Sequence, residues 1–472
     1  MSGGKASSEV ACEDIVTFIN GCFASTGQAE LYEQQGSQAL SIEFLHEYIL
    51  FNYRRLYALT LSANINHFNQ ALIIFNLLRA GAPKAPDERA FEGDLIRSSL
   101  HRLPANRAYK LFERLQRRRV NNRRTRAVIR GYFEARKDPA FDAVKYRKRV
   151  AGAVAHCHLP LRDEREVFLF KSWRGKRFQT QLFATFQRAR YAQEAIYELP
   201  FTVAEGLAQK HKVPRAEFLK KIEPMMTTRE RARLIQSATR AGHQLKADLS
   251  RSTLTQVALY ALSLSSAQRA KERARCEEAF QAICARALGA SPVQLGRTVA
   301  ILDNSYSSSG SHEKARRPLA VAFAVHQLLS VACPDYLPLW TQAPEELWEL
   351  KPTGPTSLAR PFIEALKWGA ERVIIVSDGH ENDPSGALHE LVRVFRERLD
   401  PHGAVSILHL NPVFNADSFE PKLLSPLITT IGVRDAEDLF TALSFADFAS
   451  GEGSLEALEE HLRSLSQTGG AR

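Results

Sequence analysis

The stretch TVAILDNSYS, residues 298–307, decides the fold of the C-terminal third of the chain. Its first five residues are apolar or β-branched without alternation, a pattern typical of a strand buried on both faces of a parallel sheet. Polar residues follow at once, at Asp303, Ser305 and Ser307. The stretch therefore predicts a strand that ends in a loop carrying one carboxylate and two hydroxyl groups.

Similar strand patterns alternate with helical patterns beyond this stretch. The strand-like runs are DYLPLWT, RVIIVSDG, AVSILHLNP and ITTIGV, and the segments between them place apolar residues three and four apart. Alternating strands and helices are typical of an α/β fold with a parallel, doubly wound sheet. We therefore predict an α/β domain over residues 291–450, followed by a polar C-terminal tail over residues 451–472.

The preceding residues have a different pattern. From residue 40 to residue 290 the apolar residues recur at helical spacing, and the short breaks contain proline, as at Leu103-Pro104 and Leu199-Pro200. Antiparallel helices stacked in sequence form repeat arrays, so we predict an all-α, HEAT-like helical array over residues 40–290. We predict a partly disordered N-terminal segment over residues 1–39. The sequence leaves open whether the helices close into a ring.

Charge is distributed unevenly along the 472 residues. The formal net charge is +11, and residues 101–250 alone contain 35 Lys and Arg against 14 Asp and Glu. Such a local surplus is typical of a surface that binds a polyanion. The sequence contains no apolar run long enough to span a membrane and no signal-peptide core, and its six cysteines lack the spacing of a disulfide framework. We therefore expect a cytoplasmic protein without a membrane partner.

Arginine-rich segments of the basic region are the candidate contacts with nucleic acid. A guanidinium group binds phosphate through two hydrogen bonds and stacks on bases, and an aromatic ring among cations suits single strands. Ion pairs with neighbouring helices, or a solvated face, would explain the same residues without a ligand. The candidates are Arg117, Arg118, Arg119, Arg123, Arg124, Arg126, Arg130, Lys145, Arg147, Lys148, Arg149, Lys171, Trp173, Arg174, Lys176 and Arg177.

Polar side chains at the ends of the predicted strands form a candidate metal site. Loops at the carboxyl ends of parallel strands meet at one edge of the sheet, which places Asp303, Ser305, Ser307, Thr356 and Asp378 there. Oxygen ligands without sulfur or imidazole favour Mg²⁺, or Mn²⁺, over zinc and copper. Where water completes the ligand shell, the cation accepts a further oxygen from a partner. Helix capping is the alternative role for Asp303, Ser305 and Thr356.

The order of these residues resembles a known motif. Asp303-x-Ser305-x-Ser307, Thr356 and Asp378 resemble the metal-ion-dependent adhesion site of a von Willebrand factor A domain. A helical array with a basic segment, followed by such a domain, resembles the Ro autoantigen (TROVE) family. The resemblance implies a ring of HEAT-like helices that binds non-coding RNA, with Y RNAs on its outer surface and the single-stranded ends of misfolded RNAs in its cavity. It also implies an A domain whose metal accepts a carboxylate from a protein partner, and an RNase or an AAA+ ATPase is a candidate for that role.

Two other functions stay open at this point. One is an adaptor for a MoxR-type AAA+ ATPase, in which the arginines would face acidic protein surfaces. The other is a metal-assisted nuclease, which needs two metals or a general base near the site, and only His380 and Glu381 offer such a base. The sequence contains no phosphate-binding loop, zinc-protease motif, nucleophile elbow or dinucleotide-binding glycine loop. We therefore expect a binding protein and not an enzyme.

Overall fold

The computed structural model describes residues 2–28, 30, 35–173, 175–227, 230–231, 234, 238, 243, 245, 248–290, 295–449 and 454–468. The chain forms two compact units. The first, which we call the sheet unit, comprises Met1–Asn69 and Leu249–Arg472. The second, the helical unit, comprises Gln70–Asp248.

The helices of the described residues are named in chain order. They are α1 Ser2–Ala24, α2 Gln35–Asn52, α3 Arg54–Leu59, α4 His67–Arg79, α5 Pro86–Arg102, α6 Ala105–Arg117, α7 Arg123–Glu134, α8 Pro139–Lys145, α9 Arg147–Cys157, α10 Glu164–Phe170, α11 Gln181–Ala189, α12 Phe201–Lys210, α13 Arg215–Ile222, α14 Leu254–Ser263, α15 Ser266–Ala290, α16 Arg317–Ala332, α17 Ala359–Trp368, α18 Ala387–Arg398, α19 Leu439–Ala449 and α20 Leu455–Thr468. Among the described residues, no helix combines the length and the apolarity that a membrane crossing requires.

A five-stranded parallel sheet forms the centre of the sheet unit. Its strands are β1 Thr298–Leu302, β2 Tyr336–Trp340, β3 Arg372–Val376, β4 Ser406–Asn411 and β5 Thr429–Gly432. They lie in the order β2-β1-β3-β4-β5, and every neighbouring pair is parallel. The predicted α/β fold with a doubly wound sheet is thus confirmed. Strands β1 and β3 are neighbours, and Leu302 at the end of β1 lies opposite Val376 at the end of β3.

The sheet is buried because its central strands are apolar on both faces. Val299 and Ile301 of β1 pack on one face with Phe362 of α17 and Val392 of α18. The alternate β1 residues Ala300 and Leu302 are also fully buried, as expected for strands covered by helices on both sides. This layered core holds the carboxyl ends of β1 and β3 in a fixed relation, which positions the candidate metal site.

The sheet unit extends beyond the predicted boundary near residue 290. Helices α14 and α15 pack on α16, where the rings of Phe280 and Phe323 lie 5.5 Å apart between centroids. Residues 1–39 were predicted to be partly disordered, whereas Ser2–Ala24 form helix α1, in which Ile15 and Phe18 are buried. Because these helices bury apolar side chains within the sheet unit, the division into compact units does not follow the predicted boundaries.

The C-terminal residues also differ from the predicted tail. Leu455–Thr468 form helix α20, and Leu458 and Leu462 on one face of it are buried. Glu459 accepts a hydrogen bond of 2.9 Å from Arg55 of α3. Spacings of three and four between leucines define an amphipathic helix even in a polar segment, so α20 packs within the sheet unit.

Proline marks the starts of helices in the helical unit, as the sequence predicts. Pro86 and Pro139 are the first residues of α5 and α8, and Pro104, Pro200 and Pro214 directly precede α6, α12 and α13. Proline suits the first turn because the amide hydrogen that it lacks has no partner within the helix there. The predicted helical array is therefore confirmed as a succession of short helices, while HEAT-like repetition and ring closure stay predictions.

Candidate functional site

The candidate metal site lies at the carboxyl edge of the sheet. Asp303 directly follows β1, and Asp378 follows the neighbouring β3 after one residue. The backbone N–H of Asp303 donates a 3.0 Å hydrogen bond to the carbonyl oxygen of Val376, so the ladder between β1 and β3 extends into the site. The two loops that carry the carboxylates are thus brought together by the strand order.

The structure brings together the five predicted ligand residues. The hydroxyl of Thr356 donates to Ser305 Oγ at 2.8 Å, and the hydroxyl oxygens of Ser305 and Ser307 lie 3.2 Å apart. Ser307 in turn hydrogen-bonds the carboxylate of Asp378. The carboxylate of Asp303 accepts from the backbone N–H of Ser305 at 2.8 Å. These contacts form one buried cluster of oxygen atoms from three loops.

Capping does not explain Thr356. Helix α17 begins at Ala359, and its N-cap position, Leu358, makes no side-chain capping bond. The carboxylate of Glu381 instead accepts hydrogen bonds from the backbone N–H groups of Leu358 and Ala359, at 3.1 and 3.2 Å. The hydroxyl of Thr356 is therefore used within the cluster and not at the helix start.

Two hydroxyl residues that the sequence analysis missed orient Asp303. Ser377 Oγ donates to Asp303 Oδ2 at 3.0 Å, and Thr341 Oγ1 lies 3.4 Å from Asp303 Oδ1. Both residues directly follow strands, β3 and β2 respectively. Their position directly after a predicted strand could have indicated, from the sequence, that they lie at the carboxyl edge of the sheet. Hydrogen bonds of this kind fix the direction of a ligand carboxylate and raise its affinity for a cation.

Burial makes the two carboxylates of the cluster costly to ionise. It raises the pKa of Asp303 to about 6, an effect to which the negative charge of Asp378 adds. Burial likewise raises the pKa of Asp378, against the hydrogen bond from Ser307. A cation between these carboxylates would offset both the burial and their mutual repulsion.

The donor set of the cluster fits a hard divalent cation. It offers two carboxylates and three hydroxyls, the oxygen ligands that Mg²⁺ and Mn²⁺ accept. Across the described part of the chain, no group of three or more His, Cys, Asp or Glu side chains is placed to hold a metal ion. Because the cluster has only two carboxylates among its five oxygen donors, its ligand charge is low, and Asp303, Ser305, Ser307, Thr356 and Asp378 could hold Mg²⁺.

The candidate nucleic-acid interface lies in the helical unit. Gln70–Asp248 contain 39 Lys and Arg against 18 Asp and Glu, whereas the sheet unit contains 24 against 34. The surplus of positive charge therefore belongs entirely to the helical unit. All sixteen predicted contact residues lie in it, although Arg174 is outside the described residues.

Helices α7 and α9 place basic residues where the helix dipole disfavours them. The first turn of α7 contains Arg123, Arg124 and Arg126, and that of α9 begins with Arg147 and Lys148. The N-terminal end of a helix carries partial positive charge, so cations there repel it and attract anions. Both helices thus combine two sources of positive potential at their starts.

Ion pairs within the helical unit engage some of the predicted contacts. Arg124 pairs with Glu92 at 2.5 Å, with exposed side-chain fractions of only 14% and 4%. Lys145 pairs with Glu230, and Arg149 shares Glu113 with Arg117. The pairs of Arg124 and Lys145 are largely buried, so these two side chains serve the packing of the unit.

Trp173 is also engaged within the protein. Its ring stacks on Phe168 with centroids 5.0 Å apart, and its Nε1 donates to the Phe168 carbonyl oxygen at 3.1 Å. The guanidinium groups of Arg147 and Arg190 lie 4.5 and 5.3 Å from the ring centre. Burial, together with the charge of Arg190, lowers the pKa of Arg147. The predicted stacking of a base on Trp173 would require this cluster to open.

A second group of predicted contacts faces solvent. Within the described part of the helical unit, these residues are exposed and take part in no side-chain ion pair. Arg123 and Arg130 lie seven residues apart on α7 and so share one face of that helix, opposite the buried Val128 and Ile129. The group comprises Arg118, Arg119, Arg123, Arg130, Lys148, Lys176 and Arg177.

Comparison with known proteins identifies a shared fold. The chain matches the crystal structure of the Ro (RSR) protein of Deinococcus radiodurans with a TM-score of 0.50 and 16% sequence identity. The match covers 94% of this chain and all of that one. No family model and no curated protein matches the sequence. The likeness therefore rests on the fold, and it confirms the Ro-like architecture predicted from the sequence.

Proposed function

We propose that this Ro-like fold serves as a non-coding-RNA-binding protein in which the helical unit contacts RNA and the sheet unit binds a protein partner through a metal ion. The observation that carries the proposal is the separation of charge between the units. The whole surplus of positive charge of this Ro-like chain lies in the helical unit, which therefore has the positively charged surface that RNA binding requires. Small structured RNAs and the single-stranded ends of misfolded RNAs are the proposed ligands, and RNA quality control the process.

The exposed arginines support RNA binding more directly than the charge sum. Arg118, Arg123 and Arg130 present guanidinium groups to solvent at the C-terminal end of α6 and along α7. Each could neutralise one phosphate and release condensed counterions, which makes affinity fall steeply with salt. The buried pairs of Arg124 and Lys145 contribute indirectly, since they hold the helices that carry the exposed residues.

For the sheet unit we propose Mg²⁺, or Mn²⁺, as cofactor and a carboxylate as ligand. Asp303 and Asp378 would supply negative charge, and the hydroxyls of Ser305, Ser307 and Thr356 would supply neutral oxygens. The cation, when bound, supplies Lewis acidity toward an incoming oxygen. This chain's own residues orient the carboxylates through Ser377 and the loop backbone. We propose that the partner is an RNase or an AAA+ ATPase that contributes a carboxylate to the cation. We propose no catalytic step for the chain.

We place the protein in the cytoplasm. All six cysteines are free thiols with buried side chains, and burial raises the pKa of each of Cys22, Cys157 and Cys276 above the ordinary thiol value. Protonated, buried thiols are inert toward exchange and suit a reducing compartment.

The RNA proposal is tested by changing exposed residues that make no ion pair. Arg117 and Arg124 are unsuitable because charge changes there would break pairs with Glu113 and Glu92, and Arg119 is unsuitable because its φ of 55° is left-handed. The test variant changes four residues to glutamine, namely Arg118, Arg123, Arg130 and Lys148. The matched control changes four exposed basic residues of the sheet unit to glutamine, namely Lys271, Lys351, Lys367 and Arg398.

Each protein is purified from its native cell at low salt, and the co-purifying RNA is sequenced. We expect discrete small RNAs with the wild type and the control and their loss with the test variant. Against one such RNA, the slope of log Kd with log salt concentration should fall by about 3 in the test variant, if each residue contacts one phosphate. Equal RNA recovery from all three proteins would contradict the proposal. RNA-free protein that co-purifies with a hexameric ATPase would instead support the adaptor function.

A further inference from the structure

Lys422 lies beside the candidate metal site in the segment that joins β4 to β5. The backbone carbonyl oxygen of Lys422 accepts a 3.1 Å hydrogen bond from Nδ2 of Asn411, a fully buried residue at the end of β4. Gly379, next to the ligand Asp378, packs directly on it: a Cβ at Gly379 would lie 2.5 Å from that carbonyl oxygen and 3.0 Å from Lys422 Cβ. The backbone of Lys422 is therefore held firmly against the Asp378 loop.

The ammonium group of Lys422 is directed to the same loop. Its Nζ donates to Nδ1 of His380 at 2.9 Å, and the backbone N–H of His380 donates to Asp378 Oδ1 at 3.0 Å. The positive charge of Lys422 also lowers the pKa of Asp378, against the effect of burial. The half-buried ammonium group thus lies within electrostatic reach of the ligand carboxylate.

This placement changes the charge balance of the site. A divalent cation between Asp303 and Asp378 would be neutralised by the two carboxylates, so Lys422 adds one uncompensated positive charge. Glu381 is engaged elsewhere: its carboxylate accepts hydrogen bonds from backbone N–H groups at the starts of α17 and α18. An unbalanced charge in a partly buried site is unfavourable, and an anion that binds the cation restores neutrality.

We propose that Lys422 couples metal binding to the binding of a carboxylate ligand, weakening the binding of the cation alone and strengthening the binding of the cation together with the ligand. The inference rests on the metal function proposed above. A carboxylate of a protein is favoured over an RNA phosphate because the surrounding sheet unit, with 24 basic and 34 acidic residues, repels a polyanion more than a single acid. In addition, the side chain of Tyr306 in the ligand loop is 75% exposed and offers an aromatic contact to a protein partner.

The experiment measures Mn²⁺ affinity of the full chain by electron paramagnetic resonance of the free ion, at constant ionic strength, with and without acetate. The variant is Lys422→Gln, and the matched control is Lys367→Gln, an exposed lysine in the last turn of α17, at the opposite end of that helix from the Thr356 loop. Asp378→Asn gives the background of weak surface binding. Circular dichroism confirms that each variant is folded.

We expect Lys422→Gln to bind Mn²⁺ about tenfold more tightly than wild type in the absence of acetate. Acetate should raise the Mn²⁺ affinity of wild type and Lys367→Gln severalfold and that of Lys422→Gln by less than twofold. Equal affinities and equal acetate effects would overturn the coupling while leaving the metal site intact. Absence of Mn²⁺ binding above background in every protein would overturn the proposed metal function, and the coupling with it. A larger effect of dimethyl phosphate than of acetate would overturn the assignment of a carboxylate ligand.

Discussion

Glu437 lies in the turn before α19, and its carboxylate is largely buried in the sheet unit. Ionisation of this carboxylate lowers the free energy of unfolding of the protein. Its Oε1 accepts a 2.7 Å hydrogen bond from the backbone N–H of Leu254, the first residue of α14. Its Oε2 is buried without a hydrogen-bond partner among the described residues. Burial raises the pKa of Glu437 to about 7, and the charges of Asp435 and Asp438 add to the rise. Glutamine would keep the acceptor for Leu254 and remove the charge.

The sign of the effect follows from proton uptake. Between the unfolded pKa of 4.5 and the folded value of about 7, the folded protein holds a proton that the unfolded chain has released. This group's contribution to the free energy of unfolding therefore decreases as pH rises through that window. The full cost at pH 8 is about 3 kcal/mol, from 1.36 kcal/mol for each pKa unit. Glu437→Gln should thus be more stable than wild type by about 3 kcal/mol at pH 8 and nearly equal to it at pH 4.5.

Urea denaturation followed by tryptophan fluorescence at both pH values provides the test. Glu345→Gln, at an exposed position of the same unit, is the matched control and should change stability by less than about 0.5 kcal/mol at either pH. The reasoning would be refuted if Glu437→Gln were destabilising at pH 8, or if its gain in stability were the same at pH 4.5 and pH 8. A gain confined to high pH would identify the ionised carboxylate as the cause.

Three further changes test the structure at other points. Glu92→Gln leaves the largely buried Arg124 without its counter-charge and should lower the free energy of unfolding by about 3 kcal/mol in urea denaturation, whereas an exposed Glu→Gln change should not. Ser377→Ala removes the hydrogen bond to Asp303 Oδ2 and the acceptor of the Gly379 N–H, and it should weaken Mn²⁺ binding about tenfold while lowering thermal stability slightly; an unchanged Mn²⁺ affinity would exclude a positioning role. Gly379→Ala places a Cβ 2.5 Å from a carbonyl oxygen at a φ of +82° and should destabilise the chain by about 3 kcal/mol, and a stability equal to wild type would contradict the described loop packing.

Local sequence patterns were sufficient to predict the sheet and the candidate metal cluster. The run Thr298–Leu302 is apolar or β-branched throughout and has no charged residue, so a buried strand is the structure that it favours. Polar residues directly after such strands must lie at the carboxyl edge, which is why Asp303 and Asp378 meet. Both inferences depend on residues close together in sequence and on the regular geometry of a parallel sheet.

The extent of the sheet unit depended on contacts between distant residues. Asn20 of α1 donates a 3.2 Å hydrogen bond to the carbonyl oxygen of Thr430 in β5, across 410 residues of sequence. Nothing near Asn20 indicates this partner. The N-terminal segment forms a packed helix because β5 offers it an apolar and hydrogen-bonding surface. The two segments are brought together only by the fold of the whole chain.

The same division applies to the basic region. Composition and spacing by themselves determined that the helical region carries the positive surplus, because charge is a property of each residue wherever it lies. Only the tertiary structure decided which of the predicted contact residues are engaged within the protein: Arg124 meets Glu92 and Arg147 meets Trp173, while Arg118 and Arg123 stay exposed. An ion pair or a ring contact depends on distances of a few ångströms between residues that are distant in sequence. Those distances are set by how the helices pack, and a local sequence pattern does not contain them.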